Sequence, residues 1–527
     1  MMRRWPHYEL IGIGLQLFVL LPALLWLVRA RAGNGARIDW QRLGRVVLLI
    51  FPFATAALSW RLSQGLTIPD ESSYRHEARI LASGRLVAPP PPGAAGRPTE
   101  SPRPIRYTHE IVWSGGWFSK YPIGWPLVLA IPESLGVGWL VTPLLGTLLL
   151  FLIGRIAREA FGPEVAGVAT ILTALSPAFL AYCTGRLSHA LAGVLVAGAT
   201  LACLQGVRTG RISRFVWMFA LLVCGFHVRP FTMLVVAEVL SGGSLWMLRK
   251  DRPVLLRVAS LAFLAAAASI LTVLAYNRVF TGQYLLSPYA MERGIGVPVE
   301  IQATPAMMIH NVSNRLRFSA QSIVLFSFPF LFPAAAGGLW FFRKRCWAAG
   351  LLTTLFCAIA VAYLVQTEAS ASLVGERYWM EAFFGVSILA AAWVVRATSA
   401  TQTERTALIV AGVGLAVAQL VLTGFAAIKL DVASEPSREM RRLAESFQHC
   451  RCVVYLCENP PFHGEHLNLN GPDWQNAEVF YAVDPGVALR DEWAARLGWL
   501  QWVALTYNPS AGRAEIESTG RRPVQAQ

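Results

Sequence analysis

Residues 46–86 read VVLLIFPFATAALSWRLSQGLTIPDESSYRHEARILASGRL. The first part, 46–62, is an apolar run of about the length needed to cross a hydrocarbon layer. Asp70 and Glu71 follow directly, at the edge of whatever that run spans. Pro69-Asp70 signals a helix start: Asp is a favoured N-cap, and Glu71 suits the positive helix N-terminus. Tyr74, Ala78 and Leu81 then share a face and Gly84 ends the element, which predicts a helix lying on the membrane surface.

The whole chain repeats this character. Of 527 residues, 55% are hydrophobic and only 15% charged, whereas soluble domains carry about 25% charge. The net charge of +15 does not signify nucleic acid. From Asp431 onward there are nine Lys or Arg against thirteen Asp or Glu, so the excess positive charge lies in the loops between apolar runs, where it orients spans.

Twelve spans are predicted, at about 8–28, 46–62, 138–155, 163–181, 188–207, 214–228, 231–248, 258–276, 321–341, 347–366, 379–396 and 407–428. The run 215–248 is divided at HVRPFTML (227–234). Short Arg-rich loops, among them 29–45, RTGRISR (208–214), RKDRPVLLR (249–257) and RKR (343–345), then all fall on the cytoplasmic side. Loops 63–137, 277–320 and 367–378 and the tail from 431 face outward. The fold class expected is an all-α polytopic membrane protein, 1–430, with a small extramembrane α/β domain, 431–527.

Within 63–137, IVWSGGWFSKYP reads as a hairpin, and a second helix follows Pro122 and Pro126. In the tail, SREMRRLAESFQ and RDEWAARLG read as helices, and CVVYL, VFYAV and LQWVALTY as strands. Cys450, Cys452 and Cys457 cluster there; in an oxidising space two of them can pair and leave one thiol. FHGEH (462–466) has an HxxH spacing without a third ligand.

The polar groups expected on the outward side are Asp70, Glu71, Lys120, Arg186, His189, His227, Arg229, Arg293 and Arg377. A carboxylate that activates a hydroxyl, with cations that stabilise a phosphate leaving group, suits cleavage of a sugar–phosphate bond. Structural readings stand beside this one. Asp70 can be an N-cap, Glu71 a helix-dipole partner, His189 a helix-end residue and Arg377 a snorkelling cation. Lys120 is one of only four lysines, the other three lying at predicted cytoplasmic loops or a span end. Arg229 within an apolar stretch demands a polar cavity.

The order of PDESSYRHEARILASGRL, FSKYPIGWPLVLA, SPAFLAYCTGRLSHALAG, HVRPFTML, YNRVFTGQYLLSPY and GERYWMEAFFG resembles bacterial membrane glycosyltransferases of the GT-C superfamily. Their dolichyl-phosphate-mannose-protein mannosyltransferase-like and aminoarabinose-transferase-like groups are the nearest in pattern, over about 46–430. The resemblance implies transfer of a hexosyl or pentosyl unit, with inversion, from a polyprenyl-phosphate sugar to a lipid, glycan or protein acceptor. The setting it implies is the outer face of the bacterial cytoplasmic membrane, with the site and the tail facing the periplasm. It implies Asp70 as the catalytic carboxylate with Glu71 as partner, and Lys120 with Tyr121 at the carrier phosphate. His189, Arg229, Arg377 and Tyr378 complete the substrate site. Some GT-C enzymes hold a divalent metal ion at that acid and others none; the sequence offers no basis for choosing. The first span and the proline run at 89–92 depart from the family pattern. The rival readings are a transporter or flippase of lipid-linked sugars and a membrane-anchored envelope assembly protein.

Overall fold

The computed structural model describes residues 39–294, 331–344, 346–365, 377–398 and 402–521, with four isolated residues between 312 and 323. The expected first span, 8–28, lies outside the described residues.

The membrane part is helical. It contains α1 (Trp40–Leu62), α2 (Asp70–Ala82), the hairpin β1 (Glu110–Trp113) and β2 (Gly116–Ser119), and α3 (Gly124–Ser134). Next come α4 (Val141–Phe161), α5 (Pro163–Ala174), α6 (Pro177–Tyr182), α7 (His189–Thr209), α8 (Ile212–Phe226), α9 (Pro230–Leu248) and α10 (Arg252–Thr281). α11 (Pro288–Glu292), α12 (Leu331–Phe342), α13 (Trp347–Val365), α14 (Phe383–Thr398) and α15 (Gln402–Glu445) complete it. Seven described helices are long and apolar enough to cross a membrane, and α5, α8, α12 and α14 are shorter apolar helices. Phe53, Trp217, Phe263 and Leu264 project outward, as side chains do that meet lipid.

Small residues bring these helices close. A Cβ on Gly44 of α1 would lie 2.7 Å from Gly167 Cα in α5, and one on Gly338 of α12 would lie 2.1 Å from the Leu389 carbonyl in α14. Contact of backbone on backbone is how apolar helices associate where burial from water supplies no drive.

The division expected at 227–234 is present: α8 ends at Phe226, and Pro230 opens α9, where its missing N–H costs nothing. The expected span 163–181 is instead two helices. Ser176 accepts a hydrogen bond from Phe179 N and Pro177 starts afresh, so the chain turns between α5 and α6.

Three further expectations are corrected. First, α2 does not present an exposed apolar stripe of the kind expected for a helix resting on lipid. Ten of its 13 residues are buried in protein, because the hairpin and the C-terminal domain cover the sides that the sequence left polar. Second, Asp70 is not its N-cap: Pro69 holds that position and no side chain caps the end. Third, the last span and the first tail helix are one 44-residue helix, α15, which runs unbroken through the expected domain boundary at 430.

Beyond α15 the chain forms a four-stranded sheet in the order β4-β3-β5-β6. Its strands are β3 (Cys452–Leu456), β4 (Val479–Val483), β5 (Gln501–Asn508) and β6 (Arg513–Arg521), with α16 (Arg490–Arg496) between β4 and β5. β3 pairs in parallel with both β4 and β5, and β6 is antiparallel to β5. CVVYL and VFYAV are continuous apolar runs because both their faces are covered, as parallel strands require. β6, AEIESTG in its middle, was not foreseen; its alternating polar residues are those of an edge strand. Cys450 and Cys452 are disulfide-bonded and Cys457 is a buried thiol.

Candidate functional site

α2 acts as a hub, and each of its sides meets a different neighbour. Ser73 bonds the His109 carbonyl and Ser119 on the hairpin side, while Ser72 accepts from Asn468 N of the C-terminal domain. Asp70 and Glu71, adjacent in sequence, are about 100° apart around the helix and so serve different surroundings.

Asp70 faces a cluster assembled from four distant segments. Its Oδ2 lies 2.9 Å from Arg377 Nη1, and its Oδ1 3.2 Å from His109 Nε2. Across the His109 ring, Nδ1 is 3.6 Å from Glu292 Oε1 at the end of α11. The other Glu292 oxygen is 2.9 Å from Lys120 Nζ. Lys120 follows β2 directly, so the hairpin fixes it, and its ammonium is 5.5 Å from the Tyr121 ring and 5.4 Å from the Tyr289 ring.

A second set adjoins the first. Arg377 donates to the Tyr378 hydroxyl at 3.0 Å. Arg229, at the start of α9, has its guanidinium 4.9 Å from the Tyr378 ring, and that of Arg377 is 5.0 Å away. Tyr378 is stacked on Tyr363 at 4.3 Å. Arg229 Nε and His189 Nδ1 both reach Glu381 Oε1, at 3.0 and 2.9 Å. Arg229 and Tyr74 both contact the Ser188 hydroxyl.

Three cations are thus held, each by its own carboxylate: Arg377 by Asp70, Lys120 by Glu292 and Arg229 by Glu381. Burial alone would raise the Asp70 carboxyl; the Arg377 charge and the His109 and Tyr121 hydrogen bonds overcome it and hold Asp70 well below the usual carboxylate range. For His109, burial disfavours the imidazolium, but the neighbouring Asp70 and Glu292 carboxylates raise it above its ordinary value. Burial lowers Lys120 despite the opposing Glu292 charge.

Glu71 goes elsewhere. Its carboxyl accepts from Thr67 N, Thr67 Oγ1 and Arg186 N at 3.1, 2.8 and 3.2 Å, and burial raises its pKa. It ties the chain before α2 to the turn before α7, away from the Asp70 cluster. Arg186 follows it there, and His227 bonds Thr272 instead. Of the residues singled out in the sequence, the structure therefore brings Asp70, Lys120, Tyr121, His189, Arg229, Arg377 and Tyr378 together, and separates Glu71.

His109, Glu292, Tyr289, Tyr363 and Glu381 were missed. Glu381 stood in view inside GERYWMEAFFG. His109 has a positive φ of 66°, a conformation rare outside glycine. Lys120 N and the Ser73 hydroxyl hold it there by donating to its carbonyl.

A metal ion at Asp70 would need further ligands, but both Asp70 oxygens already meet cationic groups, so the donor set does not fit one. Among the described residues, Cys457, Asp484 and Glu517 are the one group with metal-like spacing. The Arg490 guanidinium bonds all three, supplying the positive charge itself. His463 and His466 pair with Glu458 and Glu465 instead of forming a metal centre.

Residues 127–276 match the family model described as dolichyl-phosphate-mannose-protein mannosyltransferase. No curated protein matches the chain in sequence. Among solved structures, ArnT from Cupriavidus metallidurans bound to undecaprenyl phosphate is similar in fold, at 13% identity and a TM-score of 0.55, covering 90% of this chain and 94% of that one. The apo state of the same protein gives 14% identity and a TM-score of 0.52, covering 88% and 93%. The fold described above is the GT-C fold.

Proposed function

We propose that this chain, a membrane protein of GT-C fold, transfers a sugar with inversion from a polyprenyl-phosphate carrier to an acceptor hydroxyl at the outer face of the cytoplasmic membrane. The observation that carries this reading is the convergence of one carboxylate, Asp70, with Lys120, Arg229 and Arg377 in an aromatic-walled cluster. The match to the mannosyltransferase model, and a similar fold that binds undecaprenyl phosphate, support it.

In the reaction, Asp70 takes the proton of the acceptor hydroxyl. The freed oxygen attacks the anomeric carbon from the face opposite the phosphate, and the bond from that carbon to the phosphate oxygen breaks. The electron pair goes to the leaving phosphate, which the cations stabilise. Asp70 paired with Arg377 is a poor base. An arriving carrier phosphate competes for Arg377 and Lys120, and a loosened pair returns proton affinity to Asp70. Donor binding would in this way switch on the base.

A flippase would place its ionisable groups near mid-membrane on broken helices. Here His189 opens α7 and Arg229 precedes α9, so the charges gather at helix ends, which favours the enzyme. The test is Asp70→Asn in purified, membrane-inserted protein. Sugar transfer from a polyprenyl-phosphate donor should vanish while insertion persists; full transfer by that variant would sink the mechanism.

A further inference from the structure

On the Glu71 side of α2 lies a second charged cluster that the proposed reaction does not use. Glu71, Arg75 and Arg79 are spaced by four residues and form one stripe. They meet Glu133 near the end of α3, Arg186 in the turn before α7, and Arg441 on α15. Arg186 Nε is 2.7 Å from Glu133 Oε1, while Arg75 Nε is 3.5 Å from Glu133 Oε2, too long for a hydrogen bond. Arg186 and Arg441 both donate to the Ser63 carbonyl, at 3.2 and 3.3 Å, and Arg79 reaches only the Leu469 carbonyl, at 3.4 Å. Arg441 has its own partner, Glu445, at 2.7 Å.

Arg75, Arg79, Arg186 and Arg441 thus face three carboxylates, Glu71, Glu133 and Glu445, of which only Glu133 is near Arg75. Arg75 and Arg186 are each more than nine-tenths buried; Arg186 Nε is taken up by the Glu133 ion pair, and Arg75 Nε is buried without a hydrogen bond. Burial and mutual repulsion lower the proton affinity of Arg75. Four guanidiniums against three carboxylates leave a net positive charge in a largely buried place, which is costly unless an anion completes it. Arg, with its planar fork, is the residue that suits phosphate oxygens.

The surroundings indicate where the anion comes from. α3, which supplies Glu133, turns Leu127, Ile131 and Leu135 outward, with Ile131 and Leu135 each 70% exposed. Beside it Trp60, near the end of α1, packs edge-on against Trp139 at 5.2 Å, and Ser59 bonds the Trp139 carbonyl. An apolar helix face next to a tryptophan pair marks the headgroup level of a bilayer.

We propose that Arg75, Arg79, Arg186 and Arg441 form a binding site for the phosphate headgroup of an anionic membrane phospholipid, seated between α2, α3 and α15. The site is separate from Asp70 and does not depend on the reaction proposed there. Lipid bound here would brace the helix that carries Asp70 from behind.

The test uses full-length protein in phosphatidylcholine nanodiscs with or without phosphatidylglycerol, read by native mass spectrometry of retained lipid and by thermal unfolding. Wild type should retain phosphatidylglycerol through delipidation and gain thermal stability from it. Arg75→Gln combined with Arg79→Gln should retain it about tenfold less and lose that gain, while unfolding in phosphatidylcholine alone at an unchanged or higher temperature. Arg186→Gln serves as an independent variant should the double one fail to fold. A third arm adds inorganic phosphate in phosphatidylcholine; equal stabilisation by phosphate alone would overturn the lipid in favour of a soluble anion. Equal phosphatidylglycerol retention by wild type and variants would overturn the site altogether.

Discussion

Asp70 and Glu71 differ by one methylene and one position, yet they face unlike surroundings. Replacing Glu71 with Ala leaves Arg186 N buried without an acceptor, a cost of about 1–3 kcal/mol, and Thr67 N, part-buried, without its partner. Thermal unfolding in detergent should therefore fall for Glu71→Ala, with transfer per folded molecule retained; Asp70→Asn should abolish transfer and also lower the unfolding temperature, because buried Arg377 loses its carboxylate. His109 adds a pH dependence of definite sign. Its folded pKa is raised, so the stability it contributes is fully present below its ordinary value of about 6.5 and is lost as pH rises through the higher folded value. Unfolding temperature followed upward from pH 6 should decline through that window, and His109→Gln should remove that part of the decline. The sequence made Asp70, Lys120 and Arg377 conspicuous because charges are rare in this chain. It could not make His109 or Glu292 so, since their value comes from a ring that bridges two carboxylates across 183 positions of chain, His109 to Glu292.

At the level of elements, what could be read from sequence was whatever depends on local pattern. Apolar runs gave the spans, Pro230 gave the break between α8 and α9, and the Ser-Gly-Gly turn gave the hairpin. The fate of α2 was hidden, because its surface polarity is matched by partners that lie nearly 400 residues away. Asn470 is one such tie: its amide donates to the Tyr481 carbonyl at 2.8 Å and accepts from Tyr481 N at 2.9 Å, joining the loop that covers α2 to β4. Asn470→Ala should cost about 1–3 kcal/mol, since Tyr481 N loses its acceptor in a buried place, while the Tyr481 carbonyl keeps the Tyr107 hydroxyl. Hydrogen exchange should then quicken in α2 as well as in β4; exchange confined to β4 would mean that the two are not coupled.

For the molecule as a whole, the C-terminal domain packs on the helix that carries Asp70, and in the proposed topology both face outward. A cysteine introduced at Ser510, in the turn between β5 and β6, should react with an impermeant maleimide from outside intact spheroplasts. One introduced at Thr209, the last residue of α7, should react only once the membrane is opened. The reverse pattern would invert the topology and remove the outer-face reaction.

The same tie between distant parts has a consequence in time. Asn468 donates to Ser72 across 396 positions of sequence. At ribosomal speeds of about 5–20 residues per second, Ser72 is made roughly 20–80 s before its partner. Throughout that interval the helix that bears Asp70 must wait beside the translocation machinery without its cover. Its polar stripes, which suit a helix buried in protein, also keep it from being swallowed by the bilayer while the ribosome finishes. A chain that stalls before Asn468 would hold every residue of the Asp70 cluster yet lack the cover that braces the helix presenting it.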